Sequence, residues 1–262
     1  MTSRTTLTAA LLGAGTALAS CPPGFKNVVF NGGYSPSQFP LIQGAENYVT
    51  FDLGTNAGQI PMMAFASDVA AAVDMVNSAS APEYMLTFNE PDYSYMGVTP
   101  TMTPQEAADA IRPLLDSPGT GGTKFIAPVT ADPTSSWLTD FYAACGCQDF
   151  FHAYNIHVYL PEAQQTIQKL TDFRGKFPDK PVWVTELAPG NANPACSLGW
   201  DAVEAYMGDV FAWAAGTGWV EKVFWNSGNQ IRGDDTNVCN SYLLDEGNQP
   251  TPLLAAYTAV QC

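Results

Sequence analysis

Short hydrophobic runs recur along the chain, and between them lie longer stretches in which apolar residues return every third or fourth position. The runs fall at 27–30, 48–53, 60–65, 84–89, 124–130, 154–160, 182–187 and 222–226. Several are apolar without alternation, as strands covered on both faces of a parallel sheet must be. The intervening stretches read as helices at 68–77, 107–115, 135–144, 162–173, 199–215 and 251–260. The second of these begins well: Thr103, Pro104 and Glu106 supply an N-cap, a first-turn proline and an acid at the third position. Eight strands alternating with helices predict an α/β fold, a (β/α)8 TIM barrel built as a single domain. The gaps between the first three strands are short, so the early helices are expected to be reduced. A doubly wound open sheet is the alternative, but no Gly-x-Gly-x-x-Gly loop follows a strand to support it.

Two of the runs stop at a carboxylate. Tyr84-Met85-Leu86-Thr87-Phe88-Asn89 ends in Glu90, and Val182-Trp183-Val184-Thr185 ends in Glu186. In a parallel barrel the carboxyl ends of the strands form the catalytic face. Two carboxylates delivered there from different strands are the minimum equipment for cleaving a glycosidic bond, one as proton donor and one as nucleophile or base. Pro91 follows Glu90 and is expected to hold it in extended geometry. Asn89 offers an amide that could bond a sugar 2-hydroxyl. Asn155, His157 and Tyr159 alternate and so share one face of their strand. If that face points inward, His157 and Tyr159 reach the second glutamate. An Asn-Glu-Pro turn or a polar layer inside a barrel would account for the same residues without chemistry.

Charge and cysteines place limits on partners. With 10 basic and 25 acidic residues the formal charge is −15, which argues against nucleic acid and anionic membrane as partners. A neutral polymer fits, and the chain is expected to be a monomer. Arg4, an apolar stretch from 7 to 18 and Ala17-Leu18-Ala19 have the order of a secretory signal peptide. Cleavage is expected after Ala19, giving a signal peptide over 1–19, a mature domain over 20–262 and a secreted, extracellular or cell-wall location. The apolar stretch is too short to span a bilayer. All six cysteines fall in the mature part and suggest three disulfides. Cys21 and Cys262 could tie the ends, and Cys196 and Cys239 could link late loops. Cys145 and Cys147 look too close for an easy mutual bridge. Two histidines and the cysteine spacing do not make a zinc motif, so no metal is expected.

Phe88-Asn89-Glu90-Pro91-Asp92 on the fourth strand and Trp183-Val184-Thr185-Glu186 on the seventh resemble the motifs of clan A glycoside hydrolases. Nearly the whole mature chain, from the second or third strand through the eighth, is similar to glycoside hydrolase family 128, the fungal "glycosyl hydrolase catalytic core" proteins. The resemblance implies Glu90 as acid/base and Glu186 as nucleophile, with net retention, no metal and no cofactor. It makes Asn155-Ile156-His157-Val158-Tyr159 the His-x-Tyr of strand six, and Trp225 at the end of strand eight a sugar platform, with Asn226 a polar partner beside it. Trp200, Tyr93 and Tyr95 are further candidates for sugar contact, whereas Asp92 would order a loop and His152 would be structural. The implied substrate is β-1,3-glucan, cleaved within the chain. Another β-glycan, such as mannan or mixed-linkage glucan, and a non-catalytic wall-binding role remain open from the residues themselves. The early loops lack the tryptophans expected of the family, so the resemblance implies nothing about glucan length.

Overall fold

A computed structural model describes residues 20–32, 34–94, 99–190, 198–229 and 240–262. The expected signal peptide, Tyr95 and the Cys196–Cys239 pair lie outside them. Seven strands form one parallel sheet: β1 Lys26–Val29, β2 Asn47–Val49, β3 Tyr84–Leu86, β4 Lys124–Ile126, β5 Phe151–Tyr159, β6 Val182–Ala188 and β7 Val220–Asn226. Their order across the sheet is β2-β1-β7-β6-β5-β4-β3, which brings the first and last strands together one strand in from an edge and leaves β6 at the centre.

The sheet is curled. Its inner face gathers one residue from every strand: Val29, Val49, Leu86, Ile126, Ala153, Trp183 and Phe224. The expected strand at 60–65 is an irregular segment. It adds Ile60, Met62 and Ala64 to the same inner cluster and makes isolated parallel bridges to both sheet edges, Tyr48 with Gln59 on one side and Met62 with Leu86 on the other. Pro61 lies in the middle of the segment and has no N–H to donate, which prevents a continuous ladder.

Among the described residues six α-helices cover the outer face: α1 Val69–Val76, α2 Pro104–Leu115, α3 Trp137–Cys145, α4 Ala163–Lys176, α5 Trp200–Gly216 and α6 Pro252–Ala259. Among the described residues only short 3-10 turns precede α1, so the early helices are reduced as expected. The α2 cap forms as the sequence predicts. The Thr103 hydroxyl accepts from the Glu106 N–H at 3.2 Å, and the Glu106 carboxylate accepts from the Thr103 N–H at 2.7 Å. Such a box is worth about 1 kcal/mol. No helix among the described residues is long and apolar enough to cross a membrane.

Two disulfides are described. Cys21–Cys262 joins residues 241 positions apart. Cys145–Cys147 is also bonded, against expectation. The intervening Gly146 turns the chain at φ +61° and brings the two Cα atoms to 5.1 Å, within the ordinary range for a disulfide.

Candidate active site

The candidate residues meet at the carboxyl ends of the strands, and an irregularity in β6 brings them there. Val182 and Val184 face the helices while Trp183 faces inward. Strict alternation would send Glu186 outward with the two valines. Between β5 and β6 the register slips, so that Ile156 pairs with Val184 but His157 pairs with Glu186. This bulge places two β6 residues opposite one on β5. Thr185 and Glu186 therefore both reach the polar inner face of β5, and Leu187 returns to the helix side.

Glu90 arrives from the other side. Its backbone is not extended, as Pro91 suggested it would be, but has φ +44°. Two hydrogen bonds hold the turn and override the preference set by proline: the Glu90 N–H donates to Val129 O at 2.8 Å, and its carbonyl accepts from the Tyr93 N–H at 3.0 Å. Positive φ at a non-glycine residue costs on the order of 1–3 kcal/mol, and such residues concentrate at functional sites. Asp92 orders the loop, accepting from the N–H groups of Ala131 and Asp132.

His157 lies between the two acids. Its Nδ1 is 2.8 Å from Glu90 Oε1, and its Nε2 is 3.1 Å from Thr185 Oγ1 and 3.5 Å from Glu186 Oε1. Tyr159 donates its hydroxyl to Glu186 Oε2. The Asn226 amide donates to the Tyr159 oxygen at 2.5 Å and reaches Glu186 Oε2 at 3.5 Å. Asn31 in turn donates to Asn226 Oδ1 at 2.7 Å. Asn31 was not singled out in the sequence; its place at the exit of the first hydrophobic run is the signal that could have found it.

These contacts set the charges. Burial alone would lower the pKa of His157, but the charge of Glu186, the bond and charge of Glu90 and the more distant Asp92 outweigh it and raise the pKa above the usual 6.5. Burial pushes Glu90 up, and the bond and charge from His157 reverse this and leave it below the usual carboxylate value. For Glu186 burial prevails: the charge of His157 and the bonds from Tyr159 and Asn226 lower its pKa, Glu90 raises it, and the net direction is upward. Burial and the charge of Glu186 push Tyr159 well above 10.

The remaining candidates divide. Asn89 sits beside Glu90 with a buried side-chain oxygen that has no hydrogen-bond partner. Asn155 is buried, accepting from Thr185 Oγ1 at 2.6 Å, and is closed off from any sugar. Asn226 braces Tyr159 and Glu186. Trp225 is not a platform. It is 0% exposed, its indole N–H donates to Ser241 O at 2.6 Å, and its ring packs against Tyr206 and Phe211 of α5. Strand alternation explains this, because Phe224 and Asn226 face inward and Trp225 must face the helices. Trp200 packs edge-on against Tyr242. Tyr93, half exposed beside Glu90, is the described aromatic best placed at the rim. His152 binds Glu221 at 3.0 Å at the opposite end of the strands. A cavity of about 890 Å³ lies at that end too, against Tyr84 and Lys222, and is remote from the glutamates.

One ligand atom each from Glu90, His157 and Glu186 falls within a sphere of mutual distances up to 4.8 Å. That spacing would also suit a divalent cation, but both imidazole nitrogens are turned to hydrogen-bond partners within the protein, and a metal would have to displace one of them. The arrangement that the residues form directly is two carboxylates with a histidine between them. Two acids converging at the carboxyl end of a parallel sheet are the equipment that glycoside hydrolysis requires.

Comparison with known proteins agrees. The family model of the glycosyl hydrolase catalytic core matches residues 44–257, and the chain belongs to that family. No curated protein matches the chain. Among solved structures it is similar to a family 128 (subgroup I) endo-β-1,3-glucanase from Amycolatopsis mediterranei, solved as a mutant in complex with laminaripentaose; identity is 21%, the match covers 90% of this chain and 99% of that one, and the TM-score is 0.72. A subgroup V exo-β-1,3-glucanase from Cryptococcus neoformans gives 18% identity, 90% and 99% coverage and a TM-score of 0.72. A subgroup II endo-β-1,3-glucanase from Sorangium cellulosum gives 20%, 93% and 98%, and 0.67. At these identities the likeness is one of fold.

Proposed function

We propose that this chain is a secreted, retaining endo-β-1,3-glucanase in which Glu186 is the nucleophile and Glu90 the acid/base. The observation that carries this reading is the convergence of the two glutamates, with a carboxylate oxygen of each within 4.8 Å of the other. Retaining enzymes hold their carboxyl groups roughly 5 Å apart, whereas inverting ones leave room for a water between them. The substrate follows from the family and from structural neighbours described as β-1,3-glucanases, several of them crystallised with laminari-oligosaccharides. Secretion rests on the N-terminal sequence. The irregular segment at 60–64, bridged to both edges of the sheet, supports reading the fold as an eight-membered barrel.

Roles follow from donors and exposure. Tyr159 and Asn226 both aim at Glu186 Oε2, and donors of this kind stabilise a carboxylate that must attack the anomeric carbon. Glu90 has the more exposed side chain, 25% against 9%, as suits a group that meets a leaving sugar and then a water. Its partner His157 keeps one proton on the Nδ1–Oε1 hydrogen bond, available to the glycosidic oxygen through Glu90. Asn89 lies next to Glu90, its side-chain oxygen is buried, and its amide nitrogen is the group proposed to bond the sugar 2-hydroxyl. The swapped assignment, with Glu186 as acid, is favoured by the direction of the two carboxyl pKa shifts.

The test is product release from laminarin, mannan, xylan and β-1,4-glucan by wild type and Glu186→Gln, with a dinitrophenyl β-glycoside as activated substrate. Laminari-oligosaccharides released by wild type and lost in Glu186→Gln on both kinds of substrate are expected. Retention of activity on the aryl glycoside alone would reverse the two roles. Binding to laminarin without release would make the protein a wall-binding module.

A further inference from the structure

Thr185 is brought into the site by the same bulge that delivers Glu186, and its hydroxyl is committed at both lone pair and proton. It donates to Asn155 Oδ1 at 2.6 Å. A hydroxyl has one proton, so toward His157 Nε2, 3.1 Å away, Thr185 can only accept. The nearest alternative acceptor, Glu186 Oε1 at 3.5 Å, also asks for a proton on Nε2. Nδ1, on the other side of the ring, faces Glu90 Oε1 at 2.8 Å. The groups that set the charge on His157 are therefore Glu90, Glu186 and, at longer range, Asp92, with Tyr159 next to it on the same face of β5 and already spent on Glu186.

We propose that Thr185 and Asn155 are positioning residues that pin the permanent imidazole proton of His157 on Nε2, so that the one mobile proton of the site lies on the bond between Nδ1 and Glu90. This deepens the glycosidase reading above and rests on it for its catalytic part. With Nε2–H pinned, a neutral His157 presents a lone pair at Nδ1, and Glu90 can hold its proton and hydrogen-bond through it. On cleavage the Glu90 O–H bond breaks and its proton goes to the leaving glycosidic oxygen, while Glu186 forms the bond to the anomeric carbon. In the second step a water oxygen bonds to the anomeric carbon as the carbon's bond to Glu186 breaks, the Glu90 carboxylate takes the water's proton, and the pair is restored with no net gain or loss. With the opposite tautomer Nδ1–H would donate permanently to the Glu90 carboxylate, and Glu90 would have no proton to give. A hydrogen bond at one imidazole nitrogen setting which nitrogen carries the proton is a general device.

The ring nitrogens report the tautomer directly, because the chain has two histidines and His152→Gln assigns them. In imidazole-¹⁵N-labelled protein, Nε2 of His157 is expected to keep its proton across the titration while the Nδ1 resonance moves to the lone-pair range. If Nδ1 keeps the proton and Nε2 loses it, the Asn155 amide is turned the other way and the proposal is overturned. In kinetics, Thr185→Val is expected to lower laminarin hydrolysis by about tenfold, the scale of one hydrogen bond. Its basic pH limb should move to lower pH, hydrolysis of a dinitrophenyl β-glycoside should be spared, and Thr185→Ser should restore all three. Equal loss on both substrates, or an unmoved basic limb, would overturn it. Absence of turnover on every glycan by wild type would sink the function reading instead, and leave the nitrogen titration to decide the tautomer by itself.

Discussion

Glu90 and His157 share a hydrogen bond of 2.8 Å between Oε1 and Nδ1, although they lie 67 positions apart in the chain, Glu90 following β3 and His157 lying in β5, with β4 between them. Glu90 is thereby tied to a ring whose other nitrogen faces Glu186 at 3.5 Å. The two acids titrate as members of one set rather than separately.

That coupling fixes the shape of the pH profile. In the proposed mechanism the competent form has Glu186 ionised and one proton on the Glu90–His157 pair. As pH falls, Glu186 takes up a proton, and because burial raises its pKa this occurs above the usual glutamate value of 4.5. As pH rises, the pair loses its proton at a value governed by His157, whose pKa is raised above 6.5. A bell-shaped profile of kcat/KM is expected, with its acid limb above 4.5 and its basic limb above 6.5. A profile flat through either limb would show that the corresponding group is not in the reaction.

Tyr159→Phe removes the hydroxyl that donates to Glu186 Oε2 and changes little volume. Glu186 then loses a donor to its ionised form, so its pKa rises further. The acid limb should move to higher pH and kcat should fall by about 10- to 100-fold, in line with the loss of one charge-assisted hydrogen bond. An unmoved acid limb would remove Tyr159 from the nucleophile's surroundings.

Trp225→Ala separates a core residue from a sugar platform. Trp225 is fully buried, and emptying such a site costs about 3–5 kcal/mol. Denaturant unfolding should show that loss, while the KM for laminari-oligosaccharides measured well below the melting temperature should stay within about twofold of wild type. A raised KM with unchanged stability would restore the platform.

Replacing both Cys21 and Cys262 by serine opens a link that spans 241 positions. Chain-entropy arguments put the loss at about 2–5 kcal/mol, or roughly 5–15 °C in Tm for a domain of this size. The bond joins β1's approach to the end of the chain beyond α6, away from the glutamates, so kcat at low temperature should be preserved. Loss of activity in the folded variant would connect the chain ends to the site in a way that the contacts do not show.

Much of this was legible before any coordinates. Both glutamates end hydrophobic runs, and the α2 cap follows from residue types and their places; the bond between Cys21 and Cys262 was one pairing among those that the sequence leaves open. What was hidden has identifiable causes. The segment at 60–64 carries the apolar content of a strand, but Pro61 breaks its ladder. Trp225 was misread because its neighbour Asn226 was not used to set the alternation of β7. Gly146, with its left-handed backbone, lets Cys145 and Cys147 meet where spacing alone argues against it. The positive φ of Glu90 comes from hydrogen bonds to Val129 and Tyr93, partners far off in sequence or beyond the proline, against which Pro91 is a weak local signal. Neither propensity nor periodicity marks a bulge, and so Thr185 went unnoticed beside a glutamate that was obvious.

The bulge in β6 makes this enzyme more vulnerable to a change in strand length than to most changes in composition. Removing one residue between Val184 and Leu187 would restore perfect alternation, and either Thr185 or Glu186 would have to leave the inner face. A relative carrying such a single-residue gap could keep every hydrophobic position and still be inert. When new members of the family are aligned, a gap at this point should therefore be weighed as heavily as loss of the glutamate itself.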